Sequence, residues 1–281
     1  MATQKTSIPQ SAQERAYLYD LYVVPTWREV FDQLVDEKVK IPTEGKFLDA
    51  SCGTGSYAVD LASRVEAKGE VIGIDNSPEH ITLAQAKADI KKIENVRFEF
   101  GELESLKYED DTFDFIIADL SLISPAELPS RIELIFSELT RVANPDATVV
   151  IKLATRGSFD EFYSVYWEAL YSLDLEGYTP QLEELIGERL TVNQVEDLAR
   201  GAGLKRVSSV THKHRFDFDD AEAFLNSPLI ETEFLDRWLS ILDNERDSSL
   251  VKNELREVID QARENMAFDV SIKATLIIGH K

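Results

Sequence analysis

A small set of residues in this chain has the types and the spacing needed to bind a ligand. Asp49 closes a short apolar stretch, Gly53 and Gly55 follow it in a turn, and Asp75 closes the next apolar stretch. A glycine turn between a strand and a helix lets the backbone approach a ligand closely, and an acid about 20 residues later can accept hydrogen bonds from ribose hydroxyls. The spacing therefore predicts a site for a nucleotide-like ligand.

The glycine turn by itself fits more than one ligand. Residues 53–58 read Gly-Thr-Gly-Ser-Tyr-Ala, which matches the dinucleotide pattern G-x-G-x-x-G/A. Asp49 departs from that pattern because it precedes the glycines, where its carboxylate could pair with the ammonium group of a cofactor. From this turn alone, an NAD(P)-dependent oxidoreductase stays an alternative.

A known family shares this stretch and several later ones. Residues 48–55 (LDASCGTG) resemble the first motif of class I S-adenosylmethionine (SAM) methyltransferases. Four further stretches resemble the later motifs in the same order: residues 74–79, 101–106, 111–119, and 141–145 with 149–151. Residues 216–228 also look like the region of the type 11 SAM methyltransferases where inserted helices cap the substrate pocket. The chain departs from the usual motifs at Glu102, where Asp is common, and at residues 145–147, where Pro-Asp-Ala replaces Pro-Gly-Gly.

The resemblance implies SAM as the cofactor and a role for each matching residue. Asp49 would face the methionine ammonium group, Gly53 and Gly55 would admit the methionine portion, and Asp75 would accept from the ribose hydroxyls. Glu102 would accept from the adenine amino group. The cofactor-binding residues implied in this way are Asp49, Ser51, Cys52, Gly53, Gly55, Asp75, Asn76, Glu102, Leu103 and Asp119.

Catalytic residues are less evident than cofactor-binding ones. A methyl transfer to oxygen or to an acidic carbon can need a base, and His212, His214 and Asp119 are the candidates. The two histidines alternate on one strand face, and the interpretation as exposed strand-end residues is favoured. No H-E-x-x-H, C-x-x-C or similar ligand spacing is present, so no metal site is predicted. The residues after Asp119 do not form Asn/Asp-Pro-Pro-Tyr/Phe, which disfavours DNA and protein-glutamine substrates.

The elements that must position these residues alternate between strand and helix. Strands are predicted near 46–51, 70–75, 96–100, 113–119 and 147–153, with helices near 56–67, 78–92 and 127–142. This alternation predicts an α/β fold with a parallel sheet, whose ligands bind beyond the carboxyl ends of the strands. The full expectation is a Rossmann-like, seven-stranded, mostly parallel sheet with helices on both faces, a reversed C-terminal hairpin edge and helical cap insertions.

The chain divides into a core and three insertions. We predict an N-terminal helical cap (1–45), a SAM-binding core (46–155), a helical insertion (156–190), a core helix and strand (191–215), a second cap insertion (216–268) and a last core strand (269–281). The first helix is expected to break near Pro25. Its aromatic residues would either cover the cofactor or pack in the core; they are Tyr17, Tyr19, Tyr22 and Trp27.

Composition limits the partners. The 281 residues include 30 Lys and Arg against 52 Asp and Glu, a net charge of −22, which disfavours nucleic-acid binding. The single cysteine, Cys52, excludes an internal disulfide and suits a reducing cytoplasm. No apolar run reaches the length of a membrane span, and the N-terminus lacks the pattern of a signal peptide.

These observations together predict a cytoplasmic SAM-dependent methyltransferase. It would transfer a methyl group to a small-molecule acceptor by direct in-line displacement, without a metal and without nucleic acid. The alternatives are the NAD(P)-dependent oxidoreductase and a catalytically silent SAM-binding or interaction protein. No motif identifies the acceptor, the acceptor atom or the oligomeric state.

Overall fold

A computed structural model describes residues 11–65, 69–262 and 267–281, and its centre is a seven-stranded sheet. The strands are β1 (Lys46–Ala50), β2 (Glu70–Asp75), β3 (Val96–Phe100), β4 (Phe113–Asp119), β5 (Ala143–Thr155), β6 (Lys205–Phe218) and β7 (Phe268–His280). Their order is β3-β2-β1-β4-β5-β7-β6. β1 to β5 run parallel, and β7 pairs antiparallel with both β5 and β6. The predicted mostly parallel sheet with a reversed C-terminal edge is confirmed.

Helices cover both faces of the sheet. Those in the three predicted insertions (1–45, 156–190 and 216–268) are called the cap below. The helices are α1 (Ala12–Leu18), α2 (Glu29–Lys38), α3 (Ser56–Arg64), α4 (Pro78–Lys91), α5 (Leu128–Val142), α6 (Asp160–Ser172), α7 (Thr179–Gly187), α8 (Val192–Gly201), α9 (Ala221–Leu225), α10 (Pro228–Glu233), α11 (Leu235–Leu239) and α12 (Glu245–Ala262). The helix starts were predictable from their caps. The side chain of Ser77 accepts from the N–H of His80 at the start of α4, and Thr191 forms a capping box at the start of α8.

The central strands are buried on both sides, which explains their apolar sequences. On β1, Phe47 packs into one core with Phe115 of β4, while Leu48 packs into the opposite core with Ile116. Because successive side chains of a strand point to opposite faces, one apolar run supplies both cores. Asp49 is the exception on β1, since its buried side chain is a carboxyl group.

Two strands, β5 and β6, are longer than the sequence predicted. β5 begins at Ala143, ahead of the expected start near residue 147, and β6 continues to Phe218, beyond the expected end of its segment at residue 215. Asp146 lies within β5 at φ 67°, the left-handed conformation that the usual glycine would adopt. The turn therefore keeps the backbone conformation expected for Pro-Gly-Gly, although Asp146 replaces the first glycine.

α-Helical geometry is interrupted around Pro25 as predicted, and the interruption is a π-helical segment. Residues Tyr19–Arg28 form a π-helical segment that joins α1 to α2 and contains Pro25. A proline lacks the N–H that an α-helix uses, and its ring collides with an earlier carbonyl. The wider π-helical turn changes the carbonyl positions, so the chain stays helical through Pro25.

The aromatic residues of this N-terminal segment divide between the core and the surface. Trp27 is completely buried and stacks with Phe159 and Phe216 beneath the cap. Tyr17 and Tyr22 are exposed, whereas the hydroxyl of Tyr19 reaches the glycine turn. Across the described ranges, no helix is long and apolar enough to cross a membrane.

Candidate functional site

The turn after β1 is built on residues in the left-handed conformation. Ser51, Gly53 and Gly55 have φ values of 60°, 57° and 74°. A Cβ atom on Gly55 would lie 2.5 Å from the Cβ atom of Ala84, so this position accepts only glycine. The N–H of Cys52 donates to the carbonyl of Ile74 at 2.8 Å, which holds the turn against the end of β2.

Asp75 receives hydrogen bonds from this turn and from the start of α4. Its Oδ2 accepts from the N–H of Gly53 at 2.8 Å, and its Oδ1 accepts from the N–H of Ser77 at 3.0 Å and lies 3.2 Å from Nδ1 of His80. Burial alone would raise the pKa of Asp75. His80, Arg28 and the Ser77 N–H outweigh burial and hold that pKa below its usual range. The carboxylate therefore stays ionised beside the glycine turn.

Asp49 is a buried carboxylate without a hydrogen-bond donor. Both of its oxygens lack a partner among the described residues, and the side chain is 0 % exposed. Burial raises the pKa of Asp49 to about 7, although the cations of Lys152 and Arg28 act in the opposite direction. An unpaired buried carboxylate is costly unless a cation meets it. This position therefore suits the ammonium group of a ligand.

The acids around Asp49 form a buried charge cluster with two basic residues. Its members are Arg28, Asp32, Asp49, Asp119 and Lys152. Lys152 contacts Asp32 directly and lies 3.7 Å from Oδ2 of Asp119, which is itself 3.2 Å from Nη2 of Arg28. With all five groups ionised, the three carboxylates exceed the two cations by one negative charge. In that state, the cluster favours a ligand with a net positive charge.

The π-helical segment covers the glycine turn. Arg28 donates from Nη2 to the carbonyl of Ser51 at 2.6 Å and from Nη1 to the hydroxyl of Tyr19 at 2.9 Å. A Cβ atom on Gly53 would lie 2.6 Å from that Nη1 atom, so the guanidinium and the glycine backbone are in close contact. In the same segment, Asp20 accepts from Lys87 and from the hydroxyl of Thr54.

A cavity of about 400 Å³ opens at the carboxyl ends of the strands. It brings together four of the predicted residues, Ser51, Asp75, Asn76 and Asp119, with side chains from the helices. The helical residues that line it include Tyr19, Arg28, His80 and Glu233. Its volume lies in the range of ligand pockets, about 300–1,000 Å³.

The other predicted cofactor residues lie around this cavity without lining it. Asp49 is buried below it, and Arg28 and Tyr19 cover Gly53. Burial raises the pKa of the Cys52 thiol, so this residue offers its backbone and not a thiolate. The exposed Glu102 lies 3.4 Å from Nδ2 of Asn76. Gly55 faces Ala84 and Phe98, and Leu103 is buried in a core.

Of the three predicted catalytic candidates, Asp119 lines the cavity. His212 and His214 lie on β6, the outermost strand, and do not line the cavity. Burial would raise the pKa of Asp119, but Arg28, Lys152 and Ser121 hold it below its usual range. A carboxylate with a lowered pKa is a weak proton acceptor. Within the described ranges, no group of three or more His, Cys, Asp or Glu side chains could hold a metal ion.

Three residues of the charge cluster were not predicted as site residues: Arg28, Asp32 and Lys152. Lys152 could have been identified from the sequence, because it is the single charged residue in the apolar run of residues 149–154. A charge within a buried strand needs a partner, and such groups concentrate at functional sites. Arg28 and Asp32 lie in helical segments that contain several other charged residues, so the sequence did not distinguish them as site residues.

The comparisons with known proteins agree with this architecture. Residues 42–177 match a family model described as a methyltransferase domain. A demethylmenaquinone methyltransferase of Bacillus cereus is 25% identical over 191 residues, which cover 64% of this chain and 77% of that protein.

Solved structures share the fold at low sequence identity. The YcgJ protein of Bacillus subtilis superposes with a TM-score of 0.57 and 19% identity, covering 90% of this chain and 98% of that one. Phosphoethanolamine N-methyltransferase 2 of Haemonchus contortus superposes with a TM-score of 0.56 and 16% identity, covering 97% of this chain and 59% of that one. Its structure contains phosphomonomethylethanolamine and S-adenosylhomocysteine. At these identities, the likeness shows the fold.

Proposed function

We propose that this chain, whose residues 42–177 match a methyltransferase-domain model, is a SAM-dependent methyltransferase that transfers a methyl group to a small-molecule acceptor by direct in-line displacement. The observation that carries the proposal is the unpaired, buried carboxyl group of Asp49, in a cluster that has one excess negative charge when all of its groups are ionised. SAM carries an ammonium, a sulfonium and a carboxylate, and so has one net positive charge. The cofactor and the cluster therefore complement each other.

The residues of the site fit the two ends of this cofactor. Asp49 would pair with the ammonium group, and Arg28, above Gly53, would pair with the carboxylate of the same amino-acid end. Asp75 would accept from the ribose hydroxyls with its ionised carboxylate. When bound, SAM supplies a methyl group already activated on a sulfonium. The protein then has to align the acceptor and exclude water.

A small-molecule acceptor fits the space that the structure provides. The cavity at the strand ends is bounded by α1, the π-helical segment and the end of α10, and it continues beneath the cap. The net charge of −22 would repel a nucleic-acid substrate. The curated relative named above has a name that refers to demethylmenaquinone, and this favours the small-molecule class.

Equilibrium binding tests the cofactor. Calorimetric titration should show that SAM and S-adenosylhomocysteine bind and that NAD(H) does not. The Asp75→Ala variant should bind SAM about 1–3 kcal/mol more weakly, because it loses charge-assisted hydrogen bonds. Asp89→Ala is the matched control, since it removes an equal charge from the exposed side of α4 and should leave the affinity unchanged. Binding of NAD(H) instead of SAM would reject the proposal.

Glu233 is positioned to accept a proton from the acceptor. It lines both the cofactor cavity and a second, smaller cavity beneath the cap, and burial raises the pKa of its carboxyl group. Glu233→Gln should slow methyl transfer from labelled SAM into a metabolite extract by about 100-fold or more, with unchanged SAM affinity. The exposed Glu231→Gln on the same helix is the control. An unchanged rate in Glu233→Gln would exclude this residue as the base.

A further inference from the structure

The second cavity, of about 100 Å³, adjoins the cofactor cavity. The two share Leu122 and Ile123, which follow β4, and Glu233 at the end of α10. The walls of the smaller cavity come from the cap, from the loop after α7 and from the loop after β4. They include Ser121, Tyr163, Glu188, Arg189, Phe234 and Trp238. An acceptor seated here would lie beside the cofactor.

Arg189 is a buried cation without an acidic partner. Arg189 is 7 % exposed, and its Nε atom has no hydrogen-bond partner among the described residues. Nη1 donates to the carbonyl of Ala154 at 3.3 Å, and the guanidinium lies 5.6 Å from the ring centroid of Phe159. Burial lowers the pKa of Arg189, although the hydroxyl of Tyr163 acts in the opposite direction, and no carboxylate among the described residues forms an ion pair with the guanidinium.

The nearest acid in sequence is already neutralised. Glu188 forms its ion pair with Arg237, and both residues line the same cavity as Arg189. The backbone of Arg189 is held in place, because its carbonyl accepts from Nε of Arg156 at 3.1 Å. The positive charge of Arg189 is therefore fixed in position and uncompensated.

A buried guanidinium without a charged partner lowers the stability of the folded protein. A buried water could accept from Nε, but it would not neutralise the charge. A ligand anion would accept from Nε and also neutralise the charge. The planar edge of the guanidinium can form two parallel hydrogen bonds with a carboxylate. The rings of Phe234 and Trp238 line the same cavity and suit an apolar or aromatic body.

We propose that this cavity holds the methyl acceptor through a carboxylate paired with Arg189, with the aromatic or apolar part of the acceptor against the rings of the cap. The inference rests on the proposed function, because it takes the neighbouring cavity as the cofactor site. The acceptor is thus a small carboxylic acid. Arg189 is the residue that selects it.

The test uses the full chain saturated with S-adenosylhomocysteine and three probes: benzoate, benzamide and phenyl phosphate. Titration followed by NMR should show that benzoate binds at least tenfold more tightly than benzamide, its neutral counterpart. Arg189→Met should lose at least tenfold of the benzoate affinity, and Arg189→Lys should lose less. Arg206→Gln, which removes an exposed arginine on β6, should change nothing.

Stability separates this role from a structural one. Removal of an unpaired buried charge should leave the melting temperature of Arg189→Met unchanged or higher, whereas a structural role predicts a fall. Equal binding of benzoate and benzamide, or full benzoate affinity in Arg189→Met, would overturn the inference. Tighter binding of phenyl phosphate than of benzoate would overturn the carboxylate assignment. If S-adenosylhomocysteine itself does not bind, the proposed function fails instead.

Discussion

Replacement of Lys152 by methionine should destabilise the folded protein by about 3–5 kcal/mol. The ammonium group of Lys152 is 0 % exposed and lies against Asp32 and Asp119. Without it, the three carboxylates of the charge cluster would be left with the guanidinium of Arg28. Loss of one partner from a buried ion pair is costly because the remaining charge stays out of water. The same change should weaken SAM binding, since Asp49 would become harder to ionise.

Urea denaturation followed by circular dichroism measures this loss. Lys38→Met is the matched control, because Lys38 is exposed and lies 3.6 Å from the exposed Glu37. It should change the free energy of unfolding by less than about 0.5 kcal/mol. The double variant Lys152→Met/Asp32→Asn should recover part of the stability, because it removes the charge that Lys152 neutralises. A loss below about 1 kcal/mol in Lys152→Met would contradict an ionised cluster.

The Asp49→Asn variant should bind SAM about 10- to 100-fold more weakly than the wild type above pH 7, because it loses a charge-assisted interaction with the ammonium group. The wild type should also show a pH dependence that the variant lacks. Its carboxyl group has a pKa of about 7 without ligand, and only the ionised form pairs with a cation. Affinity is therefore fully present above pH 7 and falls by up to about tenfold for each pH unit below it.

Calorimetric titration between pH 5.5 and 8.5, in buffers of different ionisation enthalpy, measures both the affinity and the protons released on binding. The wild type should release a proton near pH 6 and none near pH 8, and Asp49→Asn should release fewer at the lower pH. Asp89→Asn controls for the change of charge, since Asp89 is exposed on α4. Equal pH profiles for the wild type and Asp49→Asn would remove Asp49 from the ammonium site.

The local pattern of the sequence predicted the scaffold well. Apolar runs, glycine turns and helix caps act over a few residues, so the strands from β1 to β5, the turn at Gly53 and the start of α4 at Ser77 could all be predicted. The reversed position of β7 came from the family resemblance. The winding of the chain through Pro25 was not predicted, because a π-helical segment has no clear local signal.

The ends of the long outer strands also escaped prediction. β6 and β7 pair from Phe218 with Phe268 to Lys205 with His280, so each strand extends the other through long-range hydrogen bonds. Such a ladder depends on a partner that is distant in the chain, and single-sequence patterns do not contain it. Strand order is also absent from single-sequence patterns, and it places His212 and His214 on an edge strand, where they do not line the cavity.

The sequence by itself determined the sheet, the glycine turn and the acids at the strand ends, because each depends on residues close together in the chain. Only the tertiary structure decided the charge balance of the site. Arg28, Asp119 and Lys152 come from three separate elements, and their pairing depends on distances and burial. The same holds for Arg189, which is one arginine among many in the sequence. In the fold it is a buried cation with no carboxylate partner among the described residues, and this is the observation on which we base the proposed acceptor site.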